Sequence, residues 1–402
     1  MDMMKPLAGL KVVELATFVA GPTCARALAD WGAEVIKVES PSGDPIRFIG
    51  GNTKFPTVPE ENPNYDINNM GKKAIALNLK SPGGAEVMDK LLQNSDVFLT
   101  NNRTKALEKM GLNYEQIKAK YPHLIFAQVL GYGEKGPLKD KPGFDFTAYY
   151  ARGGLLGTLY ETETSPMNPV PGFGDNQVAM NLLSGILAAA YKKSKTGMGD
   201  KVTVSLYHTA IFALNTAITA AQYGFSYPIT RKETGNPFLN TYKTKDGRWL
   251  QLAAPEYDRL YAGVMKAIDR EDLIGNEEYC KLKNISGRSG KVVAIIEAQI
   301  VQKTADEWVD IFTRHDIPCE KAFLWEEILE DEQAWENDYL CKVNYATGNV
   351  RTHVTLPVKF DSIGTQSYSR GPLIGENSAE ILKSLGYSDE EITQMAEEKI
   401  IV

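Results

Sequence analysis

An α/β protein with a Rossmann-like large domain and a smaller α+β domain is what the sequence predicts, on three observations. Apolar runs of strand length alternate with helical segments three times over about 120 residues, a pattern that builds a parallel sheet through right-handed crossovers. A hairpin signal followed by several helical patterns begins only after residue 226, so a different architecture takes over there. At 402 residues and 43% hydrophobic content, the chain is long enough to bury a sizeable core in each of two domains.

The first repeat is the clearest. Residues 11–15 (KVVEL) read as a buried strand, the loop ATFVAGP follows, and Pro22 suits the first turn of a helix running to Trp31. Gly32 stops that helix, and 34–38 (EVIKV) form the next strand of a βαβ unit. The Ala20-Gly21-Pro22 turn offers backbone N–H groups at a helix start, where an anion or an acyl carbonyl fits. Residues 44–73 shift to Pro, Asn, Gly and Glu and read as a long surface loop with little regular structure, a lid or an interface.

The grammar then resumes with a strand at 74–79 and a helix to Gln93 capped by Ser81-Pro82. A strand at 96–100, short helices at 103–110 and 114–120, and a strand at 124–130 (LIFAQVL) follow. The Gly/Pro/Lys-rich loop 131–143 leaves the C-terminal end of that strand, the edge where open α/β sheets collect ligands. From Phe173 onward the chain reads FGDNQVAMNLLSGILAAAYKKSKTGMGDKVTVSLY. Val178, Leu182, Ile186 and Ala189 keep helical spacing there, and 202–206 alternate as a strand does.

A long apolar helix over 209–223 leads out of the first domain. Asp246-Gly247 marks a hairpin turn between 240–244 and 248–252. Helical patterns follow at 256–268, 290–301 and 305–314, the last capped by Thr304. Residues 328–339 read as a connecting helix, 355–360 as a last strand, and 378–385 and 389–397 as closing helices, Asp389 opening the second.

Composition narrows the chemistry. A net charge of −7 without a long basic block argues against nucleic acid as a partner. No Gly-x-Gly-x-x-Gly follows the first strand and no Walker-type Gly-Lys-Ser/Thr occurs, so a dinucleotide or NTP site is not supported. Cys24, Cys280, Cys319 and Cys341 are scattered, and His123, His208, His315 and His353 lack paired spacing; neither a metal site nor a disulfide framework is expected. The start of the chain has no signal-peptide pattern and no apolar run reaches membrane-spanning length, which predicts a soluble, cytoplasmic protein. A Gly-x-Ser-x-Gly elbow is absent, and Cys24, on an apolar helix, reads as core.

That leaves carboxylate chemistry. Asp175, reached through Gly172-Phe173-Gly174, is the best placed acid, and Asp145, just past the Gly-rich loop, is the second. Each also has an ordinary role: Asp175 as a helix N-cap contributing about 1 kcal/mol, Asp145 as a turn residue.

The stretch from Gly174-Asp175 through the Ala-Ala-Tyr helix, Thr196-Gly197-Met198-Gly199 and Val202-Thr203-Val204-Ser205 resembles the class III CoA-transferases. So do Pro6-Leu7-Ala8-Gly9-Leu10-Lys11-Val12-Val13-Glu14-Leu15, the Ala-Gly-Pro turn and Trp31-Gly32-Ala33-Glu34-Val35-Ile36-Lys37-Val38-Glu39. Leu77-Asn78-Leu79-Lys80, Ala106-Leu107-Glu108-Lys109-Met110-Gly111, Gly131-Tyr132-Gly133 and Pro372-Leu373-Ile374-Gly375-Glu376-Asn377 continue the likeness in order over most of the chain.

The resemblance implies an interlocked homodimer of two-domain chains. Residues 1–225 form the first part of a large CoA-binding domain, 226–325 the small α+β domain, and 326–402 a linker helix and the remainder of the large domain. It makes Asp175 the nucleophile, with Gly174 and Asp145 in support, and CoA thioester a substrate with no tightly bound cofactor or metal. A carboxylate with an ordinary pKa of about 3.9 is already ionised at neutral pH and attacks without a general base. Family positions lining CoA fall on Val19, Ala20, Leu77, Lys80, Asn101 and Lys109. Val19 replaces a polar residue of the formyl-CoA transferase branch, and Ser40 stands where an Arg contacts CoA there; Arg103 is the candidate replacement cation. That branch's poly-Gly loop has no counterpart here, against oxalate or formate as substrate.

Two other functions compete. An α-methylacyl-CoA racemase of the same fold pairs its Asp with a His in Gly-His-Asp; here the motif is Gly143-Phe144-Asp145, and Phe accepts no proton. A non-catalytic CoA-binding protein is the third reading. For substrate, Arg103-Thr104-Lys105-Ala106-Leu107, Gly133-Glu134-Lys135-Gly136-Pro137 and Asp331-Glu332-Gln333-Ala334-Trp335 are similar to the phenyllactate and 2-hydroxyisocaproate CoA-transferase subgroup of amino-acid fermentation. That similarity implies transfer of CoA from an acyl-CoA or enoyl-CoA to an (R)-2-hydroxy acid.

Overall fold

A computed structural model describes residues 5–51 and 53–402. The described chain divides into two compact units, one of residues 5–155, 168–218 and 332–402, the other of 156–167 and 219–331.

The first unit is built on six parallel strands: β1 (Lys11–Leu15), β2 (Glu34–Glu39), β3 (Lys73–Ala76), β4 (Val97–Thr100), β5 (Ile125–Leu130) and β6 (Lys201–Ser205). Their order across the sheet is β3-β2-β1-β4-β5-β6, the doubly wound arrangement. Between them in the chain run α1 (Ala20–Asp30), the single turn α2 (Pro63–Asp66), α3 (Pro82–Gln93), α4 (Thr104–Met110), α5 (Tyr114–Lys120), the turn α6 (Leu155–Thr158), which falls in the second unit but for Leu155, and α7 (Phe173–Thr196). Ser81 caps α3 by accepting from Gly84 N. Strand residues bury on both faces because helices cover both: Val13, Leu15, Val38, Ile75, Phe98 and Phe126 pack with α3 and with Ile381, Leu382 and Met395 of the closing helices. α1 and α7 pack against each other.

Several expectations are corrected. The 44–73 stretch is a surface loop only in part. Its middle is exposed, with Phe48, Ile49, Phe55 and Val58 outward, while Asp44, Arg47, Glu61, Tyr65, Asp66, Asn69 and Lys72 are buried. The polar composition that suggested solvent is matched by buried partners. Lys37 Nζ, on β2, reaches Glu14 Oε1 at 3.1 Å and Asp44 Oδ2 at 3.0 Å, and Lys72 Nζ reaches Glu14 Oε2 at 2.7 Å. Arg47 pairs with Glu39 at 2.6 Å, and the Tyr65 hydroxyl donates to the same carboxylate.

The long apolar helix over 209–223 is two helices, α8 (Leu206–Ala213) and α9 (Asn215–Ala221), broken at Leu214, where the Asn215 side chain donates to Phe212 O instead of continuing the ladder. Residues 355–360 form no strand. The strands lie just before them, as the antiparallel pair Leu340–Asn344 and Val350–Val354, turned at Gly348 with φ +86°. The connecting helix at 328–339 is two short pieces, Trp325–Glu330 and Glu332–Glu336. The closing helix Asp389–Glu397 is capped by Ser388, with Glu391 completing a capping box.

In the second unit, the strands Leu239–Lys243 and Trp249–Ala253 form the expected hairpin, and Cys319–Lys321 adds a third strand. The helices Tyr257–Ala267, Gly290–Ile300 and Ala305–Arg314 bury Tyr257, Val264, Ile296, Trp308 and Phe312 beneath it, and Thr304 caps the last of them.

Candidate active site

Strand ends build the site. β1 leads into residues 17–20, β4 into 101–103, β5 ends at Val129 and Leu130, and β6 delivers Leu206. With Lys139, residues 141–144 and Asp175 they enclose a cavity of about 370 Å³. β1 and β4 are neighbours in the sheet though two strands intervene in sequence, so the cavity opens at the topological switch point, where open α/β sheets bind ligands.

The loop after β1 is held by its backbone. Asn101 Nδ2 donates to Thr17 O at 2.6 Å, and its Oδ1 accepts from Thr17 N at 3.0 Å. Lys37 Nζ donates to Ala16 O at 2.9 Å, and Asp44 Oδ1 accepts from Phe18 N at 3.1 Å. α1 begins at once, with Val19 at its N-cap and no side chain capping it, so its first N–H groups lack intrahelical partners. Glycine at 21 makes the close start possible: a Cβ there would stand 2.6 Å from Ala16 Cβ.

Asp175 is the third residue of α7, not its cap. Gly172 occupies the N-cap, in the left-handed region at φ +79°, and has no side chain of its own to close that end. What reaches the helix start is Asp145, first residue of the π-helical turn Asp145–Ala151: its Oδ1 accepts from Gly174 N at 3.1 Å. Gly174 must lack a side chain, since a Cβ would collide with Asp145 Oδ1 and the Tyr149 ring. Asp145 Oδ2 is buried with no hydrogen-bond partner.

Two carboxylates so placed do not keep ordinary acidity. Burial first, then the charge of Asp145, push Asp175 up to about 7. Burial pushes Asp145 up to about 6, against the stabilising N–H groups of Gly172 and Gly174. Full ionisation of Asp175 at pH 7, the expectation from its residue type, is therefore corrected: the site makes it a more basic carboxylate whose ionised fraction rises through neutrality. Asp145→Asn removes the charge but not the burial, so any activity that needs the Asp175 carboxylate should have its acid limb displaced to lower pH by a fraction of a unit. A pH–rate profile of kcat/KM checks this, and an unmoved limb would show the two acids uncoupled.

The structure brings Val19, Ala20, Asn101, Arg103 and Asp175 onto one cavity, with Asp145 and Gly174 joined to it through the start of α7. Leu77 is buried in the hydrophobic core. Lys80 and Lys109 are exposed and are not among the lining residues. Reading the sequence missed Phe18, Phe144, Lys139 and Lys141. The two lysines were signalled by the Lys-rich loop, whereas Phe18 owes its position to Asp44, 26 residues away. Among the described residues no group of three or more His, Cys, Asp or Glu side chains could hold a metal ion, and no helix is long and apolar enough to cross a membrane.

A switch-point cavity holding a carboxylate at a helix start suits acyl transfer, and comparison with known proteins gives the family. The chain belongs to CoA-transferase family III, which matches residues 7–378. It is 53% identical over 399 residues to a cinnamoyl-CoA:phenyllactate CoA-transferase of Clostridium sporogenes, covering 98% of this chain and 97% of that protein. It is 47% identical over 395 residues to an (R)-2-hydroxy-4-methylpentanoate CoA-transferase of Clostridioides difficile, covering 98% and 99%. Among solved structures, a CAIB/BAIF family protein from Brucella suis superposes with a TM-score of 0.82 at 26% identity, covering 94% of this chain and 99% of that one.

Proposed function

We propose that this CoA-transferase moves CoA from an acyl-CoA or enoyl-CoA to an (R)-2-hydroxy carboxylic acid, with Asp175 bonded first to the acyl group and then to CoA. The observation that carries the reading is a carboxylate made basic by burial in a cavity that also presents Arg103, Lys139 and Lys141. Three cations suit the phosphates of CoA, and the apolar Val19 and Leu206 suit an acyl chain.

The steps balance without an added base. Asp175 carboxylate attacks the thioester carbonyl, the C–S bond breaks, and CoA thiolate leaves an aspartyl–acyl anhydride. The thiolate attacks the aspartyl carbonyl, releasing the first acid as its carboxylate and leaving an aspartyl-CoA thioester. The 2-hydroxy acid's carboxylate attacks that thioester, and the expelled thiolate returns to the new anhydride at the incoming acyl carbonyl, restoring Asp175. Each tetrahedral oxyanion needs fixed donors, and the first N–H groups of α1 suit that role.

The acid class rests on the relatives named for phenyllactate and (R)-2-hydroxy-4-methylpentanoate, hydroxy acids with an aromatic and a branched side chain that fit a place in amino-acid fermentation. CoA enters as substrate, with no tightly bound cofactor, in a cytoplasmic protein. An interlocked homodimer belongs to the same reading, supported by the exposed apolar residues Leu324, Trp325, Ile328 and Leu329.

Mixing the protein with an enoyl-CoA donor and leucine-, phenylalanine- or alanine-derived 2-hydroxy acids should yield the corresponding 2-hydroxyacyl-CoA. Quenching in turnover and weighing the peptides should find the adduct on Asp175. No thioester exchange with any 2-hydroxy acid, or an adduct on another side chain, overturns the proposal.

A further inference from the structure

We propose that Phe18 and Phe144 form the wall that selects the acid's side chain, which rests on the 2-hydroxy acid reading above and assigns its specificity to two residues. Both line the cavity that holds Asp175. Their rings meet edge to face, with centroids 6.1 Å apart and planes at 90°. Phe18 is half-buried, whereas Phe144 is 58% exposed, so the pair is not closed core packing. An aromatic left open to water beside a reactive group is apolar surface waiting for a partner.

Neither ring is loose on its backbone. Phe144 N donates to Thr147 Oγ1 at 3.0 Å, and its carbonyl accepts from Ala148 N at 2.8 Å. Phe18 sits at φ +63°, a left-handed conformation unusual for a bulky residue and kept only where the surroundings impose it. Here they do: Lys37, Asn101 and Asp44 hold the backbone of residues 16, 17 and 18 in turn. The buried clamp presets a rigid aromatic surface, and a preset surface loses little freedom when a ligand covers it.

A phenyl-bearing 2-hydroxy acid gains an aromatic contact on this wall that lactate cannot make. Phe144→Ala and Phe18→Ala are tested with one enoyl-CoA donor and both acids competing in the same mixture, so that the ratio of product thioesters reads the ratio of kcat/KM and the donor cancels. The wild-type ratio should favour the phenyl acid, and each variant should lower it about tenfold, with Phe144→Leu recovering part of the loss. Because Phe144 is mostly exposed, its variant folds even if Phe18→Ala does not. A Phe144→Ala ratio within about twofold of wild type overturns the inference while leaving the transferase reading standing. A wild-type chain that forms no 2-hydroxyacyl-CoA from either acid overturns both.

Discussion

Asp175→Ala should lower CoA transfer by at least about 10⁴-fold while leaving the fold as stable as before, or more so. The activity loss follows from the proposed chemistry: without the carboxylate no bond forms between enzyme and acyl group, and water at the vacated position is a poor nucleophile. Asp175→Glu keeps the charge but shifts it by a methylene, so it should also fall, by roughly 10²-fold, through misplacement alone. Stability moves the other way. Asp175 caps nothing, because Gly172 holds the N-cap position. Its carboxyl is pushed up to about 7 in the fold, above its value in the unfolded chain, so the native state holds the proton more tightly. Wild-type stability therefore drains away as pH rises from about 4 to about 7 on account of this group. Alanine removes that loss. Urea unfolding at pH 8 should give the variant a midpoint equal to or above wild type, with its advantage shrinking toward pH 4. Transfer in Asp175→Ala above about 1% of wild type would sink the nucleophile assignment; a variant that loses activity together with stability at pH 8 would make the residue structural.

What could be read beforehand divides along one physical line. β1, β5, α3 and α7 were legible because their patterns are local: continuous apolar runs for strands covered on both faces, 3.6-residue spacing for α7, and Ser81 at the start of α3. Asp175 was legible from its glycine approach and the resemblance around it, but its altered acidity was not. That comes first from burial in the folded site and then from Asp145, 30 positions earlier, brought to the start of α7 by the π-helical turn. The 44–73 stretch was misread for the same reason. Asp44, Arg47 and Lys72 look like solvent residues in sequence, and only the fold shows that Glu14, Lys37 and Glu39 on the strands are waiting for them. Phe18 shows the limit most plainly, because nothing adjacent to it in the chain calls for a left-handed backbone.

Lys37→Met should destabilise the fold by about 3–5 kcal/mol, the largest stability effect expected of any single residue near the site. Lys37 is wholly buried on β2, and its ammonium joins Glu14, Asp44 and the carbonyl of Ala16. Burial alone would pull its pKa down, yet Glu14, Asp44 and Glu39 outweigh that and hold it above the ordinary lysine value. A folded pKa raised in this way means that the contribution is complete below about 10.4 and is lost only as pH climbs past the raised value, so the deficit of the variant should be the same at pH 6 and pH 8. Methionine fills the space but leaves the Ala16 carbonyl and one Asp44 oxygen without their donor, and it leaves Glu14 to Lys72 alone. Lys72 is a weaker holder, pushed down to about 8 by burial. Urea midpoints at unchanged m-value measure the loss; a deficit under about 1 kcal/mol would show that the network is replaceable by apolar packing, as some buried ion pairs are. The same substitution removes the bond to the Ala16 carbonyl, one of those that hold the loop after β1, and leaves Asp44, which accepts from Phe18 N, without its buried cation. At temperatures where the variant is still folded, it should therefore discriminate poorly between phenyl-bearing and small acids, which ties the stability of the buried charges to the shape of the wall above them.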